Sequence, residues 1–324
     1  MTTAFITGID GQDGSYLAEL LIKDGYDVVG VARPGDPLRN IDLTGSRLII
    51  EYADMGDAPT LDQLITRTKP DQLYHLAAPS FLVTDPSEDQ KILQAIALGT
   101  QAILSAVVRE APDCRVFLAG SSEMFGTPVH APQDEATAFQ PRSVYGLAKV
   151  WAHQALTNYR RRFGLFACTG FLYNHESPRR GERFVTRKIT TAAARIARGQ
   201  LGSVQLGDLD AQRDWGYAPD YVAAMRAMLQ NEQAEDFVIA TGQLHSVRDL
   251  VAHAFARVDL DYRQFVTVDS ALVRAIEQVP LVGDGSAIKA RLGWSPTRTF
   301  GDIIDEMVDS ELQKIDDVES AEGT

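Results

Sequence analysis

The sequence predicts an α/β fold, a doubly wound parallel sheet with a smaller C-terminal α/β part. Three observations carry this. Short apolar runs alternate with amphipathic helical patterns through residues 1–172. Several runs are apolar throughout rather than alternating, as strands buried on both faces require. The first strand runs straight into a glycine-rich turn that opens a helix.

The strand-like runs are AFITG, DVVGVAR, RLIIEYAD, QLYHLAA, RVFLAG and LFACTGFLY, with helical patterns between them near 15–24, 60–68, 88–110 and 143–162. Beyond residue 173 the pattern loosens. A helix near 185–199 precedes SVQLGD, and helices near 218–230 and 246–258 flank EDFVIATG, which reads as another buried strand. A last helix near 299–316 leads into DDVESAEGT, an acidic tail expected to be disordered.

The chain has 324 residues and a net charge of −13, which argues against a nucleic-acid surface; any anionic ligand must be held by a local basic cluster. Cys114 and Cys168 each sit in an apolar run and read as buried free thiols. No CxxC or HExxH spacing supports a metal site. No signal-type segment and no apolar run of about 18 residues is found, so the expectation is a cytoplasmic protein without a membrane partner.

The turn after the first strand reads TGIDGQDGSYLAELL, with Gly8, Gly11 and Gly14 around Gln12 and Asp13. Glycines there let the backbone turn tightly and approach a pyrophosphate, and the helix N-terminus points its N–H groups at that anion. In this context the triplet reads as a Rossmann-type dinucleotide loop. The second strand ends in Arg33 rather than an acidic residue; a guanidinium suits a 2′-phosphate, so the expected cofactor is NADP. Asp54 and Met55 after the third strand, and Leu76, Ala77, Ala78 and Ser80 after the fourth, are placed on the same cofactor surface at the carboxyl ends of the strands.

SVYGLAK puts Tyr145 and Lys149 four apart on one helix face. A nearby ammonium should lower the tyrosine pKa and make the phenol a base toward a sugar or alcohol hydroxyl. The strand-end loop GSSEMFG adds the hydroxyls of Ser121 and Ser122 and the carboxylate of Glu123. Phenol, ammonium, hydroxyl and carboxylate together resemble the extended short-chain dehydrogenase/reductases over nearly the whole chain. By that resemblance, the tyrosine, lysine and a hydroxyl serve 4-epimerases, and a second acid–base group serves members that also break a C–H bond, the dehydratases. Glu123 therefore narrows the reading.

The segment FLYNHESPRRGERFVTRK is too charged for a core strand, and it carries Pro178 and Gly181. It closely resembles the signature of the GDP-mannose 4,6-dehydratases, as do ITGIDGQDGSYLAELL, SSEMFG, RDWGYAPDYV and DFVIATG. The resemblance implies that Tyr145, Lys149, His175 and Arg180 contact NADP, and that Ser122, Asn174, Lys188, Arg213, Arg274 and Glu277 hold a nucleotide sugar. It implies catalysis by Ser121, Glu123, Tyr145 and Lys149, without net redox change. A diphosphate entering an acidic protein needs such a local arginine and lysine cluster. The implied division is an NADP-binding domain, 1–172, taking back segments near 208–241, and a substrate domain, 173–324.

The chain also departs from the family. Ser121 stands where threonine is usual, Pro79 where a polar residue is common, and Arg274-Ala275-Ile276-Glu277-Gln278-Val279 where the family has Arg-Pro-x-Glu-Val-Asp. Pro34 replaces a second arginine in a loop that helps the family build tetramers, so a homodimer is expected as readily as a homotetramer. The competing readings are an NADPH-dependent 4-keto-reductase or epimerase on a related nucleotide sugar, and a non-catalytic NADP-binding sensor.

Overall fold

The computed structural model of the chain describes residues 2–41, 47–79, 85–269 and 279–322. Of the residues singled out above, Ser80, Arg274, Ala275, Ile276, Glu277 and Gln278 lie outside these.

The first half alternates strand and helix as expected. The elements are β1 (Thr3–Thr7), α1 (Gln12–Lys23), β2 (Asp27–Ala32), β3 (Leu48–Tyr52), α2 (Ala58–Thr68), β4 (Gln72–His75), α3 (Asp89–Leu93), α4 (Gly99–Glu110), β5 (Arg115–Ala119), α5 (Val144–Phe163) and β6 (Ala167–Leu172). The second half holds β7 (Asn174–Glu176), α6 (Val185–Ala197), β8 (Val204–Leu206), β9 (Gln212–Tyr217), α7 (Ala218–Gln230), β10 (Phe237–Ile239), β11 (Leu244–Ser246), α8 (Val247–Ala256), β12 (Val266–Val268), α9 (Ser286–Leu292) and α10 (Phe300–Glu322).

Seven parallel strands form the central sheet in the order β10-β6-β5-β4-β1-β2-β3. β10 comes from the second half and pairs with β6, Val238 opposite Phe171. α1 and α7 cover one face of the sheet, burying Leu17, Leu21, Met225 and Leu229, and α2, α4 and α5 cover the other, burying Leu64, Ile103, Val107 and Leu156. A third cluster joins α6, α8 and α10 through Ile189, Leu250, Phe255 and Ile304. Two small sheets, β11-β9-β7 and β12-β8, lie beside the main one. Both cysteines are buried free thiols, as expected.

Three local expectations are corrected. The predicted 88–110 helix is interrupted by a π-helical turn, Gln94–Leu98, between α3 and α4. The stretch Pro86–Glu110 is also long and apolar enough to cross a bilayer by length and composition. Here it buries Ile92, Ile96, Ile103, Leu104 and Val107 inside the protein. The acidic tail is helical through Glu322. It is tied to α6 by Arg198, which donates twice to Asp316 at 2.9 Å, and by Gln200, which donates to Glu319 at 3.0 Å.

Candidate active site

Functional side chains gather at the carboxyl ends of β1, β2, β4, β5 and β6. Around the glycine turn, the backbone leaves no room for side chains. A Cβ on Gly14 would sit 2.2 Å from the Gly8 carbonyl oxygen, and one on Gly8 would sit 3.0 Å from Ala77. The tight turn brings the N-terminus of α1, capped at Gly11, to the sheet edge next to Leu76, Ala77 and Ala78. Thr7 fixes that neighbouring loop: its hydroxyl oxygen accepts from Leu76 N and Ala77 N at 3.1 Å. Asp54 accepts from Gly56 N at 2.7 Å in the turn after β3, and Met55 is buried beside it. Arg33 stands at the end of β2 with its side chain 72% exposed and pairs with Asp36 at 3.3 Å.

The loop after β5 and the first turn of α5 are built against each other. Ser143 caps α5 by accepting from Gly146 N at 3.1 Å. A Cβ on Gly146 would lie 2.5 Å from the Glu123 carbonyl oxygen, so glycine at this position lets the helix come within reach of the loop. Ser121 Oγ accepts from Glu123 N at 3.2 Å and lies near enough to Tyr145 to favour its phenolate. Ser122 is buried behind them. Glu123 pairs with Arg142 at 3.6 Å, and its second carboxylate oxygen is buried without a hydrogen-bond partner among the described residues. Arg142 was not anticipated; it stands three residues before Tyr145.

Lys149 is buried and donates to Ala119 O at 2.6 Å, with its ammonium 5.9 Å from the centre of the Tyr145 ring. Burial pulls its pKa down to about 8. The expected lowering of the Tyr145 pKa is overturned in the free protein. Burial drives it up to about 12, against the lowering effect of the Ser121 hydrogen bond, with the Glu123 charge raising it further.

The segment after β6 crosses from the glycine turn to α6. Gln12 donates to His175 O at 3.0 Å and accepts from Ser177 Oγ at 2.8 Å. His175 Nε2 lies 2.9 Å from Asp13, and its ring stacks on Tyr221 at 4.5 Å between centroids. Arg180 packs 3.6 Å over the Phe184 ring and lies 3.2 Å from the buried carboxylate of Glu176. His175, Ser177 and Arg179 meet α1, while Lys188 lies on α6 and donates to Gln205 O at 2.6 Å. Lys188, Thr191, Arg195, Val204 and Gln205 line an open pocket of about 580 Å³ at α6 and β8.

Asn174 pairs with Trp215 in β9, two positions from Arg213, which in turn pairs with His245 in β11. Between Arg213 and Trp215, buried Asp214 accepts from Thr241 N at 3.0 Å, Gly242 N at 2.9 Å and Gly283 N at 3.2 Å, which holds this small sheet against the main one. Among the described residues no group of three or more His, Cys, Asp or Glu side chains is placed to hold a metal ion.

The GDP-mannose 4,6-dehydratase family model matches residues 5–307. The chain belongs to that family. GDP-mannose 4,6 dehydratase 2 of Arabidopsis thaliana is 42% identical over 325 aligned residues, covering 96% of this chain and 87% of the relative. The Vibrio cholerae GDP-mannose 4,6-dehydratase is 37% identical, covering 96% and 94%. Among solved structures, dTDP-glucose 4,6-dehydratase from Bacillus anthracis in complex with NAD superposes with a TM-score of 0.85 at 16% identity, covering 98% of each chain, which shows the shared fold. By family this protein is an enzyme, a nucleotide-sugar dehydratase of the hydro-lyase class on an extended short-chain dehydrogenase/reductase fold.

Proposed function

We propose that this enzyme removes water from GDP-mannose to give GDP-4-keto-6-deoxymannose, using NADP that is regenerated in each cycle. One observation carries the reading: Ser121, Glu123, Tyr145 and Lys149 converge at one strand end, the first turn of α5 packed on the Glu123 carbonyl at Gly146 and the Lys149 ammonium 5.9 Å from the Tyr145 ring. A reductase has no work for that second acid–base group.

The fit to a dinucleotide rests on the closed Gly8–Gly14 turn and the α1 N-terminus beside it. Gly11, Gln12, Asp13, Leu76, Ala77 and Ala78 form the cradle, with Asp54 and Met55 flanking it. Arg33 favours NADP over NAD, because an exposed pair with Asp36 is worth little and yields readily to a phosphate. When bound, the nicotinamide supplies a hydride acceptor for C4 of the sugar and the donor that later reduces C6.

Tyr145 takes the proton of the C4 hydroxyl, with Ser121 as its hydrogen-bond partner and the Lys149 ammonium stabilising phenolate. The ketone formed at C4 acidifies the C5 proton. Glu123 removes that proton and delivers it to the C6 hydroxyl, which leaves as water, and Tyr145 returns its proton to C5 as C6 is reduced. His175 and Arg180 hold cofactor, while Ser122, Asn174, Lys188 and Arg213 hold the nucleotide sugar, its nucleotide end in the pocket of Lys188 and Arg195. The 1–172 unit, completed by α7 and β10, serves as the cofactor domain and the remainder as the substrate domain. Buried thiols suit a reducing cytoplasm. The exposed Leu98, Leu147 and Trp151 suit burial in a homodimer or homotetramer.

The test is to incubate the protein with GDP-mannose and a trace of NADP⁺ and follow the sugar nucleotide by mass spectrometry. Loss of one water without accumulating NADPH is expected; an unchanged sugar nucleotide, or stoichiometric NADPH consumption on a 4-keto sugar, would replace this reading.

A further inference from the structure

Glu176 is a carboxylate that the proposed chemistry does not use, yet it is 1% exposed. Burying a charge is costly unless it is paired and hydrogen-bonded, so its partners show what it is for. Its Oε2 accepts from the Thr186 hydroxyl at 2.5 Å and lies 3.2 Å from Arg180 Nε. Thr186 is itself buried at the first turn of α6. The Arg180 Nε–H is not aimed along a hydrogen bond, so this contact is one of charge. The guanidinium carbon lies 3.6 Å from the centre of the Phe184 ring. Ring and carboxylate thus bound one side and the inner edge of the fork, and among the described residues its terminal nitrogens have no hydrogen-bond partner. The adjoining pair of Asp13 and His175 completes a set of two anions and two cations that spans the cofactor loop and the segment after β6.

We infer that Glu176 and Thr186 are positioning residues: they hold the Arg180 guanidinium in the orientation that grips the cofactor, and so set cofactor affinity without touching it. Arg180 could otherwise sample many rotamers, and a fork held in place loses less entropy on binding. Thr186 orients the carboxylate, Glu176 orients Arg180, and Phe184 backs the guanidinium from one side.

The inference rests on the reading that Arg180 contacts the cofactor, and a double-mutant cycle separates the two. NADPH is titrated into wild type, Glu176→Gln, Thr186→Val, Arg180→Met and the Glu176→Gln/Arg180→Met double variant, with binding read from nicotinamide fluorescence. Glu176→Gln is expected to weaken NADPH binding about tenfold, and to cost nothing further once Arg180 is methionine. Thr186→Val, which keeps the side-chain shape, is expected to shift affinity in the same direction by less, and carries the test if Glu176→Gln does not fold. Unchanged or tighter binding in these variants overturns the inference, as does an equal loss in both Arg180 backgrounds, the mark of general structural support. Should Arg180→Met alone leave NADPH binding intact, the assignment of Arg180 to the cofactor falls first and the inference falls with it.

Discussion

His175 and Asp13 form a buried ion pair between α1 and the segment after β6, with Nε2 2.9 Å from the carboxylate. The other ring nitrogen, Nδ1, lies 2.7 Å from the Tyr173 carbonyl, so both nitrogens face acceptors and the ring is a donor at each. Burial alone would push His175 down, but the Asp13 charge and hydrogen bond outweigh it and raise its pKa. His75 goes the other way. Burial, reinforced by the Lys149 charge, lowers it to about 3. Thr100 donates to Ile96 O, so it accepts from His75 Nε2–H; Thr7, with Leu76 N and Ala77 N on its oxygen, donates to Nδ1. The first prediction is spectroscopic. At pH 6, nitrogen NMR will find His175 cationic and His75 as the neutral Nε2–H tautomer. Because the folded pKa of His175 is raised, the stability it contributes is complete below about 6.5 and is lost as pH rises through the folded value. A neutral His175 at pH 6 would contradict the assignment.

The second prediction concerns the phosphate turn. Gly14→Ala places a methyl group against the Gly8 carbonyl and the Ile9 backbone, neither of which is a movable side chain. The variant should lose dinucleotide binding and destabilise the fold by about 1–3 kcal/mol, the usual range for overpacking. Gly202→Ala, where a Cβ meets nothing within 4 Å, is the control and should stay within about 0.5 kcal/mol. Equal melting temperatures and equal NADPH titrations for the two variants would show that the turn does not need its glycine.

The sheet and its helices were legible because long periodic segments carry their own signal: α7 was expected at 218–230 and is found there. β7, β9, β11, β12 and α9 were not anticipated. All five have only three to seven residues, too few to show a period, and β9 also mixes Arg213, Asp214 and Trp215 without alternation. The tail misled because its acidity reads as solvation, whereas the partners that order it, Arg198 and Gln200, are distant in sequence. In the site, Tyr145, Lys149, Ser121 and Glu123 could be found from spacing and loop position. The role of Glu176 could not, since its partners Thr186 and Arg180 identify themselves only by contact. The Tyr145 pKa was misjudged because spacing reports a neighbouring ammonium but not the burial that outweighs it.

Cofactor choice gives the third prediction. Replacing Arg33 by serine removes the guanidinium at the end of β2 and frees Asp36. A charged hydrogen bond of this kind is worth about 1.5–3 kcal/mol, so NADPH affinity should fall by roughly tenfold or more while NADH affinity holds steady. Parallel titrations of the two nucleotides measure it. Equal losses for both would move the 2′-phosphate contact elsewhere.

The fourth prediction sets stability against activity at Lys149. Its ammonium is buried beneath Tyr145 and held by the Ala119 carbonyl at 2.6 Å. The pKa falls from 10.5 to about 8, so at neutral pH the fold bears a penalty of about 3 kcal/mol for keeping the charge. Between these two values the unfolded chain binds the proton more tightly than the folded one, so the stability of the natural protein rises as pH climbs from about 8 toward 10.5. Lys149→Met removes the penalty and strands the Ala119 carbonyl, a loss of about 1 kcal/mol. The variant should therefore melt higher than wild type at pH 7, by about 2 kcal/mol in stability, and lose that advantage as the pH approaches 10.5. Its turnover should fall at least about a hundredfold, since the phenolate of Tyr145 is left without a cation. Thermal melts across this pH range, paired with the water-loss assay, measure both. A variant less stable than wild type by the same margin at every pH would mean that Lys149 is not buried as a strained cation, and that its place beside Tyr145 is structural.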